Sequence, residues 1–243
     1  MIIRSMTGLL FLSGVLVLVW LTRENNRLDE DISRLEGELG QLPIKEIDRV
    51  HIVAIKDPFI PPEIAPHVQR IWRYRLYLPA GYDMVQMDGE GRVTEEGVFL
   101  HGGLSTRWSS PKPEPKHTLL TICFSGHGDQ AEVFSCINGS ISTLRWGRVD
   151  FEQLLSGDLV FQHLSSLSQG SRSFDTDTIL PLLKVYDPRT AKTKTIDGSE
   201  ITTYKGGLIV LCPKSRESDM EQLRQGRVPE GFQPSWVAKG VAE

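Results

Sequence analysis

Cysteine is scarce: the chain has 3 in 243 residues, none of them in a CxxC pair. An odd, dispersed set cannot build a disulfide scaffold, and without CxxC it offers no structural zinc site. Cationic excess is missing too. With 27 Lys and Arg against 31 Asp and Glu the net charge is -4, which argues against a sequence-independent hold on phosphate and leaves nucleic acid out of the expected partners. Neither GxSxG nor HExxH occurs, and the 6 histidines include no pair at metal-ligand spacing, so no cofactor and no metal are expected. Asp175-Thr176-Asp177 lacks the glycine and terminal Glu of a calcium loop and reads as a solvated turn.

Long apolar runs are limited to one. Met6 to Thr22, MTGLLFLSGVLVLVWLT, is 17 uncharged residues between Arg4 and Arg23. As a helix it covers about 26 Å, near the short end for a hydrocarbon core. It ends in Val19-Trp20-Leu21-Thr22 rather than in small residues, so it reads as an uncleaved, single-pass anchor in a lipid bilayer. A short leading tail and a long following domain place the N-terminus in the cytoplasm and the bulk on the outer, periplasmic side of the membrane. The count of Arg4 before the span against Arg23, Arg27 and Arg34 after it points the other way.

Apolar residues then continue at steps of three and four. Leu18, Ile32 and Leu39 take heptad position a, and Leu21, Leu28, Leu35 and Leu42 take d, with Asn25 at the remaining a position. This predicts a coiled-coil stalk over 23–42, with Asn25, Leu28, Ile32, Leu35 and Leu39 as its partner-binding residues. The flanking positions carry Glu24, Asp29, Asp31, Glu36 and Glu38, so a parallel homodimer would set like charges together. Homo-oligomerisation is therefore disfavoured and a basic partner helix fits better. Residues 23–48 hold 4 Lys or Arg against 8 Asp or Glu, which leaves the rest of the chain close to neutral.

Beyond Pro43 the period shortens to alternation broken by Gly, Pro and Asp, the signature of an antiparallel β domain. Strands are expected at 47–55, 71–78, 82–87, 118–125, 131–138, 140–146, 179–186 and 207–212. Trp72, Tyr74, Leu76 and Leu78 would face one way and Arg73, Arg75 and Tyr77 the other, as on a half-buried edge strand. Two short helices are expected, one opened by Asp150 with Gln153, the other by Ser218 with Glu221 and closed at Gly226. Arg107 to Lys116 reads as a loop. The expected architecture is mainly β: an N-terminal transmembrane helix continuing into a short coiled-coil stalk, then one antiparallel β-sandwich-like domain over 43–213 with two short helices, and a C-terminal tail over 214–243.

The order of span, leucine-heptad stalk, WRYRLYLPAGYDM, PEPKHTLLTICF, ILPLLKVYDP and GGLIVLCPKS resembles a family of single-span bacterial membrane proteins abundant in planctomycete-type bacteria, over roughly 6–213. PEPKHT stands where that family has a PGEHT-like turn. The resemblance implies the architecture; no activity comes with it.

The densest reactive cluster is Cys123, Ser125, His127 and Asp129, near a hairpin tip. It holds a nucleophile, a base and an orienting acid, the ingredients of an envelope hydrolase or thiol enzyme, although Gly, His and Asp are equally turn residues. With Ile122 and Phe124 on the core face, the hairpin register can set Cys123 opposite Cys136, close enough for a disulfide in an oxidising compartment. Asn138-Gly139-Ser140 matches a glycosylation sequon and is first of all a hairpin turn. Trp72, Tyr74, Tyr77, Tyr82 and Trp108 would line a groove in a carbohydrate- or peptide-binding sandwich, while core packing explains them equally. The leading expectation is a binding protein, an adaptor or structural tether of the envelope, with no catalytic activity evident.

Overall fold

The computed structural model describes residues 14, 17–18, 20–24, 27–28, 44–55, 58, 60, 62, 65, 68–95, 100–127, 130–137, 139–146, 159–164, 171–196, 199–239 and 241–242. The chain divides into two compact units, Met1–Lys45 and Glu46–Glu243.

In the first unit the described residues between Gly14 and Leu28 are helical. Val17, Leu18, Trp20, Leu21 and Leu28 are all exposed there. The Thr22 hydroxyl donates to the Leu18 carbonyl at 2.9 Å, one turn back along the helix. Among the described residues no helix is long and apolar enough to cross a membrane. Of the heptad positions, Leu28 is helical, while Asn25, Ile32, Leu35 and Leu39 lie outside the described residues.

The second unit is built from strands β1 (Val50–Ala54), β2 (Arg70–Leu78), β3 (Met84–Thr94), β4 (Leu100–Ser109), β5 (Lys116–His127), β6 (Gln130–Ile137), β7 (Ser140–Trp146), β8 (Val160–His163), β9 (Arg172–Phe174), β10 (Leu180–Ile196), β11 (Ser199–Pro213) and β12 (Val241–Ala242). They form two six-stranded sheets, ordered β7-β6-β5-β2-β1-β9 and β12-β8-β10-β11-β3-β4. Neighbouring strands are antiparallel throughout. The inward residues of the first sheet, among them Ile52, Tyr74, Leu76, Leu120, Ile122, Phe124 and Val133, pack against Phe161, Leu182, Leu183, Val185, Ile209 and Leu211 of the second. One shared core makes this a sandwich.

The two sheets differ on their outer faces. In the second, Val85, Met87, Tyr186, Leu208, Val210 and Cys212 pack against Met220, Leu223 and Val237, which lie beyond the last long strand. Helix α1 (Glu217–Arg224) supplies Met220 and Leu223, with acids in its first turn and Arg224 in its last, as the helix dipole favours. The Arg216 guanidinium lies 3.5 Å over the Trp236 ring and bonds Asp219 and Asp177, which ties helix, turn and C-terminal segment together. A strand buried on both faces needs no alternation, which explains why Leu180 to Tyr186, LPLLKVY, is buried without interruption.

Several expectations change. β2 is not an edge strand: β1 and β5 flank it, and its half-polar face is the outer face of the sheet. β4 runs into the segment expected as a loop, taking in Arg107, Trp108 and Ser109. Its Gly102 packs so closely on β3 that a methyl group there would overlap the Glu90 carbonyl. The short strands β8, β9 and β12 were not expected. Helix α1 starts at Glu217 behind a turn rather than with a Ser218 cap, since its N-cap is Arg216 and has no side-chain bond. It does end at Gly226, whose φ is +78°. The helix expected at Asp150 lies outside the described residues. The residues after Pro213, with the one short helix expected there, belong to the second unit.

Candidate functional site

Of the expected reactive cluster, Cys123, Ser125 and His127 fall on one strand. Cys123 and Ser125 are alternate residues of β5 and therefore share its outer side, and the backbone of His127 ends the strand. At about 3.3 Å per residue the Cys123 and His127 backbones stand about 13 Å apart. Burial pushes the Cys123 thiol up, the Arg73 guanidinium pulls it down and Cys136 pushes it up again. It is thus held protonated rather than activated. Asp129 and the side chain of His127 lie outside the described residues.

The hairpin register corrects the proposed disulfide. Leu120 faces Ile137, so Thr121 is opposite Cys136 and Cys123 is opposite Phe134. The parity is as expected, with Ile122, Phe124, Val133 and Ile137 inward, but the pairing is displaced by two residues. The two cysteines are diagonal neighbours, and both are free thiols. A diagonal spacing of about 7–8 Å exceeds the reach of a disulfide. Cys212 is buried in the second sheet.

The aromatic groove is divided between two environments. Trp72 and Tyr74 point into the core, as does Tyr82, while Tyr77 points outward and donates to the Ile47 carbonyl at 2.9 Å. Asp175 and Asp177 sit in a turn and pair with Arg49 and Arg216.

The outer face of the sheet is covered at one end, where the segment before β1 buries His51 and Tyr77, and no described strand or helix crosses the remainder. Across the strands the register sets Arg73 beside Thr121, Thr121 beside Cys136 and Cys136 beside Ile141. A second row runs Val53, Arg75, Leu119, and a third runs Ile71, Cys123, Phe134, Thr143. Leu119 is 43% exposed and Ile141 69%. Arg73 and Arg75 project from the central strand and form no ion pair with a described residue, and the Arg73 Nε is buried without a hydrogen-bond acceptor. The acids of this face stand at its margins: Glu132 on β6 opposite Arg145, and Asp48 close enough to Tyr77 to push its phenol up, behind the larger effect of burial.

A second polar constellation is internal. Asp88 on β3 accepts from Gln86 Nε2 at 2.9 Å, from Arg107 Nη2 at 3.2 Å and from the Ser135 hydroxyl at 3.2 Å. Ser135, on the other sheet, accepts from Gln86 Nε2 at 2.9 Å and from Arg107 Nη2 at 2.6 Å. Ser135 is only 1% exposed and no histidine belongs to the group, so it pins one sheet to the other and offers no accessible nucleophile. Sequence reasoning missed it because Gln86, Asp88 and Ser135 sit among apolar neighbours and look like ordinary solvent-facing members of alternating strands.

No family model matches the chain, and neither a curated protein nor a solved structure matches it.

Proposed function

We propose that this protein works by binding, as a membrane-tethered adaptor whose sandwich presents the uncovered face of its first sheet. The observation that carries the reading is the asymmetry of the sandwich. The second sheet is roofed by α1 and the C-terminal segment, whereas among the described residues no strand or helix covers the part of the first that carries exposed Leu119 and Ile141, half-buried Phe134 and, on β2, two arginines. Exposed large apolar side chains grouped on one face are characteristic of interaction sites. The tether is the uncharged run Met6 to Thr22, and the acidic heptads after it form a stalk suited to a basic partner helix.

Two linked experiments test this. Alkaline extraction of native membranes should leave the chain in the pellet, and deletion of 6–22 should release it. Mild-detergent co-purification should recover a partner from the full chain and lose it when Arg23 to Leu42 is replaced by a Gly/Ser linker. A chain extracted at high pH, or a partner indifferent to the linker, would count against the tether and the stalk respectively.

A further inference from the structure

We infer that the outer face of the first sheet is the docking surface for an acidic, apolar-rich segment of a partner protein, a reading that rests on the proposal that the chain works by binding. Arg73 and Arg75 are alternate residues of β2, so both guanidinium groups leave the same face about 7 Å apart. Each lacks a described carboxylate, and the buried Nε of Arg73 lacks an acceptor among the described residues. A guanidinium half-sunk among apolar side chains is an incomplete arrangement, because its fork of donors is matched best by carboxylate oxygens. Val53 and Leu119 stand on either side of Arg75, Ile71 precedes Arg73 on the same face of β2, and Phe134 and Ile141 lie farther out on β6 and β7. A segment that brought alternating acidic and aliphatic side chains would complete the arginines and remove these apolar side chains from water together.

Two cations set the chemical class. Polybasic recognition of anionic lipid takes about 4–8 Lys or Arg, and nucleic acid affinity accumulates from many phosphate contacts. Neither describes two adjacent arginines on a mixed polar and apolar sheet face in a chain of net charge -4. An extended acidic peptide fits the spacing, since its own same-side residues also repeat about every 7 Å.

The face carries its own reporters, Cys123 and Cys136, while buried Cys212 reports on folding. The full chain in detergent micelles would be alkylated with iodoacetamide and each cysteine followed by mass spectrometry, with and without a synthetic heptapeptide of alternating Glu and Val or its Lys-for-Glu counterpart. The Glu peptide should slow labelling of Cys123 and Cys136 with a saturable dependence, and the Lys peptide should not. R73Q with R75Q should weaken that protection about tenfold or more. Leu119→Glu, at an exposed position that the fold does not need, should do the same by placing a carboxylate beside the arginines. Unreactive Cys212 certifies that each variant is folded. Absent protection, equal protection by the Lys peptide or indifference to both variants would overturn the proposal. So would protection by phosphatidylglycerol vesicles in place of the peptide, or self-protection that grows with protein concentration, which would name a lipid surface or a second copy instead. The assay does not depend on membrane insertion. Its failure alongside successful fractionation would remove the face assignment and leave the tether standing.

Discussion

Gln86 and Ser135 meet across the sandwich, the Gln86 amide of β3 donating to the Ser135 hydroxyl of β6 at 2.9 Å. Asp88 and Arg107 complete the group, with Arg107 Nη1 reaching on to the Ser140 carbonyl at 2.8 Å. Hydrophobic packing alone lets sheets slide; a buried, directional group fixes one alignment.

Removing one member should therefore cost more than one hydrogen bond. Ser135→Ala leaves Gln86 and Arg107 donors facing an apolar methyl and should lower stability by about 1–3 kcal/mol. Asp88→Ala strands the Arg107 charge and should cost on the order of 3 kcal/mol or more. Urea unfolding midpoints check both, and a loss under about 0.5 kcal/mol for either would show that the group contributes little.

Adjacent glycines of β4 should respond differently. A methyl on Gly102 overlaps the Glu90 carbonyl oxygen, whereas one on Gly103 meets nothing within 4 Å. Gly102→Ala should destabilise by about 1–3 kcal/mol and Gly103→Ala hardly at all. Equal effects in thermal unfolding would mean that β3 and β4 do not approach as described.

Alkali should weaken the fold before acid-labile groups matter. Burial, followed by the nearby Glu217 and Asp219, pushes the Cys212 thiol from its usual 9.0 up to about 12. Tyr82 is also raised, by burial first and then by Cys212. Raised folded-state values mean that the native protein holds protons which the unfolded chain releases, so this stability is complete below pH 9.0 and drains away as pH rises towards about 12. The slope approaches about 1.4 kcal/mol per pH unit for each group within its window. Cys212→Val should flatten the decline measured between pH 9 and 10.5, and an unchanged slope would assign it elsewhere.

Tyr82 permits an independent check, because its buried hydroxyl has no hydrogen-bond partner among the described residues. Removing an unsatisfied polar group is neutral or stabilising. Tyr82→Phe should leave the neutral-pH unfolding free energy unchanged or raise it, by up to about 1 kcal/mol, and a clear loss would reveal a bond to that oxygen.

The β class, most long strands and the inward side of the central hairpin were legible because alternation reports directly on a half-buried sheet. The rest failed for identifiable reasons. Gly102 looks like punctuation, yet here it permits the close approach of β4 to β3. The sides of β2 were read correctly, but its neighbours were not, since alternation does not say whether a strand lies at an edge. Hairpin parity was recoverable and its register was not, because a two-residue shift leaves every side chain on the same face. That shift separates Cys123 from Cys136. The short β8 and β9 carry too few residues for a period to show. Buried Lys184, whose ammonium donates to the Glu95 carbonyl at 2.7 Å, looks from sequence like a solvent-facing residue.

The most direct test of the account is the reactivity of Cys123 and Cys136 in opened native membranes compared with the purified chain. If the uncovered face is a binding surface, both thiols should be alkylated about tenfold or more slowly in the membranes, recover on purification and leave Cys212 unreactive in both states. Equal rates before and after purification would show that nothing occupies the face, and would contradict the account.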